Sequence, residues 1–177
     1  VLVGYSGNVA IMWEITERRV EAVLEDDLSD SNEFVSVACS PNGSMLATGH
    51  GTGKNPHGIF ESVYLWDAKS FEKVAALPIT LGHMDKGSVR FSGSGGALAV
   101  GGSIWDVALR RELWAFEDRH PKHLVWMSRV IPNANHVLLG GYKIIDATNR
   151  VGLLARCDIA DGRVVSLRET SDQSFPN

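Results

Sequence analysis

An all-β fold assembled from repeated units of four antiparallel strands is what this sequence predicts, and three observations predict it. A strand, turn and strand signature occurs three times: Val37-Ala38-Cys39-Ser40-Pro41-Asn42-Gly43 before Met45-Leu46-Ala47-Thr48-Gly49, Val89-Arg90-Phe91-Ser92-Gly93-Ser94-Gly95 before Ala97-Leu98-Ala99-Val100-Gly101, and Val125-Trp126-Met127-Ser128 before Val137-Leu138-Leu139-Gly140. Each copy leads to a third strand that closes on an aromatic or apolar residue and an acid: Leu65-Trp66-Asp67, Ile104-Trp105-Asp106 and, with Cys in place of Trp, Arg156-Cys157-Asp158. The short β-rich runs are bounded by Gly, Pro and Asn and carry no helical period. With 177 residues, 44% hydrophobic and 21% charged, the composition is that of an ordinary globular chain.

The first unit is partial. Val1 to Tyr5, a turn at Ser6-Gly7-Asn8 and Val9-Ala10-Ile11-Met12-Trp13-Glu14 supply its second and third strands, with no first strand before them. A fourth strand follows each closing acid: Val20 to Leu24, Lys73 to Leu77, Glu112 to Phe116 and Arg163 to Leu167. The units expected are therefore 1–25 (partial), 34–78, 83–117 and 123–168, with a polar tail over 169–177 that makes a poor inner strand for the first unit. The opening Val1-Leu2-Val3-Gly4-Tyr5, without an initiator Met, a basic segment or an apolar leader, reads as cut from a longer chain. Open strand edges favouring self-association, or missing units that cover them, are expected accordingly.

The closing positions 13, 66, 105 and 157 are separated by 53, 39 and 52 residues, bracketing the ~40 to 45 of one four-stranded propeller blade. The excess falls in two second-to-third connections, because Gly49 to Trp66 and Gly140 to Cys157 are both 17 apart, whereas Gly102 and Ser103 alone fill that place in the third unit. For the last unit, Lys143-Ile144-Ile145-Asp146 offers a competing third strand. The Cys157-Asp158 register is preferred, since Asp161-Gly162 then falls in a tight turn before a good outer strand.

These motifs resemble the WD-repeat β-propeller family over nearly the whole chain, to about residue 168. In that family a Gly-His before the first strand and a Trp-Asp closing the third are joined through a Ser or Thr and a turn Asp by buried hydrogen bonds. Gly82-His83 with Trp105-Asp106, and Thr48 with Trp66-Asp67, are the matching residues here. Trp13 and Cys157-Asp158 take the same place in the other units. No unit has the full set: Ser31 stands where the second should have its His, and the short turn of the third leaves no room for the Asp. Cohesion is therefore expected to rest on Val, Leu, Ile and Trp burial more than on polar networks.

Loops of an up-and-down blade alternate between its two ends. One face then collects the inserts 50–62 and 142–150 and the linkers 25–33, 78–87 and 117–123, with His50, His57, His83, His120, His123 and the acidic run Glu25-Asp26-Asp27. Arg18, Arg19, Lys69, Arg110, Arg111, Arg163 and His136 belong to the other. Long loops on a rigid scaffold are where binding residues concentrate. Partner-binding candidates are Lys54, His57, Phe60, Trp126 and Tyr142, aromatics on such a rim being common interface anchors; alternatively Phe60 caps its own loop and Trp126 packs between blades.

Little else in the sequence suggests chemistry. Gly49-His50-Gly51-Thr52-Gly53-Lys54-Asn55 fails as a phosphate loop, with Thr48 at the first Gly position, Asn55 at the Ser/Thr position and no helix to follow. His120-Pro121-Lys122-His123 matches no metal-ligand spacing, so no metal and no cofactor is expected. Cys39 and Cys157, two units apart, are expected as buried free thiols, and two cysteines in all suit a reducing, cytoplasmic setting. No nucleophile is paired with a base and an orienting acid, and the acidic run reads as a solvated linker. Seventeen basic against 21 acidic residues, a formal charge of -4, argue against a nucleic-acid partner, and no apolar run is long enough to span a bilayer. By resemblance, the function expected is a non-catalytic scaffold that binds proteins or peptides through the insert-bearing face. A propeller serving as a regulatory or targeting arm of an enzyme domain, and a propeller enzyme with a channel or metal site, are the alternatives.

Overall fold

The computed structural model describes residues 2–6, 9–25, 32–52, 62–79, 89–131 and 134–170. Its strands form four antiparallel sheets in chain order, each a meander. Sheet 1 is β1 (Leu2–Ser6), β2 (Val9–Glu14) and β3 (Arg19–Glu25). Sheet 2 is β4 (Asn32–Cys39), β5 (Met45–Thr52), β6 (Ser62–Asp67) and β7 (Lys73–Leu77). Sheet 3 is β8 (Val89–Phe91), β9 (Ala97–Val100), β10 (Ser103–Asp106) and β11 (Arg111–Ala115), followed by a single helical turn, α1 (Phe116–Arg119). Sheet 4 is β12 (His123–Val130), β13 (His136–Ile144), β14 (Arg150–Asp158) and β15 (Val164–Thr170). No helix among the described residues is long and apolar enough to cross a membrane.

The repeat is visible in the register. A β-bulge separates third and fourth strands at one repeat position in all four sheets: between Met12 and Trp13, Leu65 and Trp66, Ile104 and Trp105, and Arg156 and Cys157. Bulges increase local twist, so the same bend recurs in each sheet. Turn chemistry repeats as well. The amides of Met45 and Ala97 donate to the hydroxyls of Ser40 and Ser92 at 2.9 and 3.0 Å, and Gly43 and Gly95 supply the positive φ that closes each turn.

Alternation along the strands sends one set of side chains to each neighbour. Ala10, Met12 and Leu24 of sheet 1 pack on Leu46 and Trp66 of sheet 2. The other side of sheet 2, with Ala47, Val63, Leu65 and Leu77, packs on Val89, Leu98, Val100 and Trp105 of sheet 3. Ala99, Ile104, Trp114 and Phe116 of sheet 3 meet Val125, Leu139, Ala155 and Cys157 of sheet 4. Sheets 2 and 3 thus each lend one face backward and one forward. Trp13 keeps the repeat position after the bulge, but it points to the face of sheet 1 opposite Met12 and is 42% exposed, because no described sheet covers that side.

In the last unit two expectations change and the preferred register of the third strand holds. Residues 142–150 are not a long insert, since β13 and β14 pair as far as Ile144 with Arg150 and leave only the turn 145–149. The third strand ends at Cys157-Asp158, and Lys143-Ile144 belongs to the second. Glu169 and Thr170, assigned to the tail, continue β15 opposite Leu153 and Gly152. Likewise, Cys157 is a buried free thiol but Cys39 is an exposed one, at the end of β4 where the strand leaves the sheet.

Candidate functional site

The closing acids organise turns. Asp67 Oδ1 accepts from the amides of Lys69 and Ser70, both at 2.8 Å, Asp106 Oδ1 from Leu109 at 2.7 Å and Asp158 Oδ1 from Ala160 at 2.8 Å. Glu14 fills the place in sheet 1, accepting from Thr16 at 2.9 Å. The amides of Ser70 and Lys69 hold the Asp67 carboxyl below its ordinary pKa. Each of these carboxylates holds a turn after its strand.

Polar locks stand beside the apolar clusters that were expected to carry most of the cohesion. Trp66 Nε1 donates to Thr48 Oγ1 at 2.8 Å, and the same hydroxyl meets His50 Nε2 at 2.8 Å. His50, placed in a loop from the sequence, is instead 1% exposed in β5. It stands two residues along the strand from Thr48, with its ring edge-on to Tyr64 at 4.9 Å. In sheet 3, Trp105 Nε1 donates to Ser103 Oγ at 2.9 Å, which donates to the Val100 carbonyl at 3.1 Å. In sheet 4 the small Cys157 replaces the indole, and Trp114 reaches across from sheet 3 to donate to the Ile159 carbonyl at 2.8 Å.

Among the described residues, the rim beyond the last pair of β13 and β14 carries a densely hydrogen-bonded turn. Asp146 Oδ1 accepts from the Thr148 amide at 2.9 Å, its hydroxyl at 3.0 Å and the Asn149 amide at 2.9 Å, while Oδ2 accepts from Asn149 Nδ2 at 2.6 Å. Those donors, Asn149 first, lower the Asp146 pKa to about 2. Side chain and backbone together fix a five-residue tip that presents Ile145 at 50% exposure. Behind it the Arg150 guanidinium lies 4.6 Å over the Tyr142 ring, an arrangement that holds both side chains.

On the other side of the same arm, Lys143 Nζ donates to both Glu169 oxygens, at 3.0 and 3.1 Å. His123 Nε2 stands 3.7 Å from Glu169 Oε1, and His120 stacks on Phe116 at 4.3 Å. Burial, then the neighbouring His123 and Arg119, lowers the His120 pKa. The two rings are 5.5 Å apart, centroid to centroid. Among the described residues no group of three or more His, Cys, Asp or Glu could hold a metal ion.

Of the partner-binding candidates, Tyr142 lies on this rim. Lys54, His57 and Phe60, and the structural candidate His83, lie outside the described residues. Trp126 is in β12, and its side chain is outside the description as well. Sequence reasoning missed Ile145 and Arg150, because 142–150 read as a loose loop; the Asp146-Ala147-Thr148-Asn149 run, with an acid at the first position of a tight turn, was the available signal.

The cysteines give a direct check. Burial pushes the Cys157 thiol up to about 11, and partial burial also raises that of Cys39. Iodoacetamide at pH 8 is expected to alkylate the native protein at Cys39 alone, with Cys157 labelled only after denaturation, as read by peptide mass spectrometry. The folded pKa of Cys157 exceeds its unfolded value, so its share of stability is complete below the unfolded pKa of 9.0 and is lost as pH rises toward 11. Equal labelling of both thiols in the native state would contradict the packing of Cys157 between sheets 3 and 4.

No family model matches this chain, and no curated protein does. Solved structures do. It is similar to the crystal structure of a eukaryotic initiation factor, at 11% identity and TM-score 0.57 over 97% of this chain and 44% of that one. Raptor from Chaetomium thermophilum matches at 16% identity and TM-score 0.64, over 94% of this chain and 14% of its own. The dihydro-heme d1 dehydrogenase NirN, in complex with DHE, matches at 12% and 0.56, over 96% and 43%. The chain thus spans less than half of each. All three contain propellers, and with four stacked antiparallel meanders the conclusion is that the fold is all-β, of propeller type, the described residues forming three four-stranded sheets and a three-stranded one.

Proposed function

We propose that this chain is part of a non-catalytic protein-interaction scaffold of WD-repeat type, which binds a protein or peptide through the loop-bearing rim. One observation carries the reading: the turn 145–149 is held rigid by four hydrogen bonds to a single carboxylate, and it offers an exposed Ile145 beside the Tyr142–Arg150 pair. An exposed apolar side chain on an ordered tip, beside a half-buried aromatic already held by its neighbour, loses little conformational freedom on binding, and Tyr and Arg are residue types enriched among interface hot spots. The Trp66–Thr48–His50 lock supports the WD-repeat assignment, because it joins the third-strand Trp to a second-strand hydroxyl and an imidazole. The imidazole comes from the second strand itself, a departure from the family arrangement. A reducing, cytoplasmic setting goes with the reading.

The test uses the full chain in its own cells. Tyr142→Ala, Ile145→Asp and, in the insert of the second unit, His57→Ala and Phe60→Ala are each checked for native circular dichroism and then used as bait beside the parent. Partners retained by the parent are expected to fall at least about tenfold, the loss that removal of one hot-spot side chain brings. Capture of the same partners at parental yield by all four folded variants would sink the proposal.

A further inference from the structure

The forward face of sheet 4 breaks the pattern of the other three. The residue before the bulge on each third strand points at the following sheet. It is Met12 in sheet 1, Leu65 in sheet 2 and Ile104 in sheet 3, at 2%, 1% and 1% exposure. In sheet 4 that slot is Arg156. The register sets Arg129, Leu138 and Arg156 side by side on this face, with Leu154 and Arg168 in the next row. All three arginines are exposed, Leu154 is 47% exposed, and among the described residues no carboxylate is ion-paired with any of the three.

A sheet packed here as sheets 2, 3 and 4 pack on their predecessors would bury Arg156 at the centre of the contact. A guanidinium taken from water without a counter-charge is strongly penalised, whereas a carboxylate meets its planar fork with two parallel hydrogen bonds. Leu138 and Leu154 between the arginines favour a protein surface over a polyanion, as does the net charge of -4. We propose that one further sheet of the same propeller covers this face, and that its contact surface carries carboxylates set opposite Arg129, Arg156 and Arg168 in place of the apolar stripe of the other interfaces. The specificity of this junction would then be electrostatic, admitting an acidic sheet and rejecting an apolar one. The proposal concerns a different surface from the rim, and Tyr142→Ala or Ile145→Asp leaves it untouched.

The experiment places the photo-crosslinker p-benzoylphenylalanine at position 154 of the full-length protein purified from its own gene, with the attachment site read by mass spectrometry. A cross-link to a strand residue within two positions of an Asp or Glu is expected. Arg156→Glu should reduce its yield about tenfold, and replacing the facing acid by Arg in that background should restore it. Attachment to a strand without acids, to sheet 1 of a second copy or to nucleic acid would overturn the proposal, as would no attachment at all. Should Arg156→Glu fail to fold, Arg168→Glu gives the same comparison from the edge of the face.

Discussion

Trp114→Ala is expected to lower the stability of the protein by about 4 kcal/mol, within the ~3 to 5 found for removal of a buried Trp or Phe. The indole is 4% exposed and belongs to the cluster shared by sheets 3 and 4. It packs against Gly162 so closely that a Cβ there would lie 2.6 Å from its Cδ2. Its Nε1 donates to the Ile159 carbonyl, and beside it the Arg119 guanidinium donates to the Asp161 carbonyl. Three contacts from sheet 3 and its helical turn therefore converge on the turn between β14 and β15. Trp114→Phe keeps most of the packing and leaves one carbonyl unpaired, at a cost of about 1 to 2 kcal/mol. Urea unfolding of the two variants checks both values. Stacked repeats contact mainly their neighbours, so loss of amide protection in Trp114→Ala should begin in β14 and β15. A midpoint for Trp114→Ala equal to that of Trp114→Phe would mean that the indole does not hold the two sheets together.

The strands of these sheets were legible because apolar alternation and turn residues act locally. Val37 to Gly49 and Val89 to Gly101 announce themselves as hairpins by Ser-Pro-Asn-Gly and Ser-Gly-Ser-Gly, whose hydroxyls and glycines close the turns as expected. What depends on a neighbouring sheet was not legible. Nothing around Trp13 distinguishes it from Trp66 or Trp105, yet it is exposed and they are buried, because burial of that slot requires a preceding sheet. His50 read as a loop residue since Gly49, Gly51 and Gly53 surround it. Its partner Thr48 is two positions away on the same strand, a pairing that only the pleat makes into a contact. The rim candidate was half legible: Tyr142 was singled out as an aromatic near a loop, but Arg150 and Ile145 become its neighbours only once Ile144 pairs with Arg150. Glycines at 140, 141 and 152 weakened the strand signal there, as glycine does.

One of those glycines is required by geometry. Gly141 lies opposite the bulge between Val125 and Met127. An ideal Cβ on it would overlap the Leu124 carbonyl oxygen and fall 2.9 Å from both the Leu124 carbonyl carbon and Val125 Cα. All three are backbone atoms of the paired strand, so no rotamer change can relieve the overlap; β12 must move away from β13 and its ladder must open. Gly141→Ala is accordingly expected to cost at least about 3 kcal/mol, the upper range for overpacking a dense interior, and to lower the thermal midpoint by roughly 10 °C for a chain of this size. Gly43→Ala is the matched control. Nothing lies within 4 Å of its Cβ position and only its φ of +70° is strained, for which about 1 kcal/mol is expected. Hydrogen exchange should place the damage of Gly141→Ala between β12 and β13, next to the rim that carries Tyr142. Equal losses from the two substitutions would show that the close approach of Leu124 is not what holds position 141 to glycine.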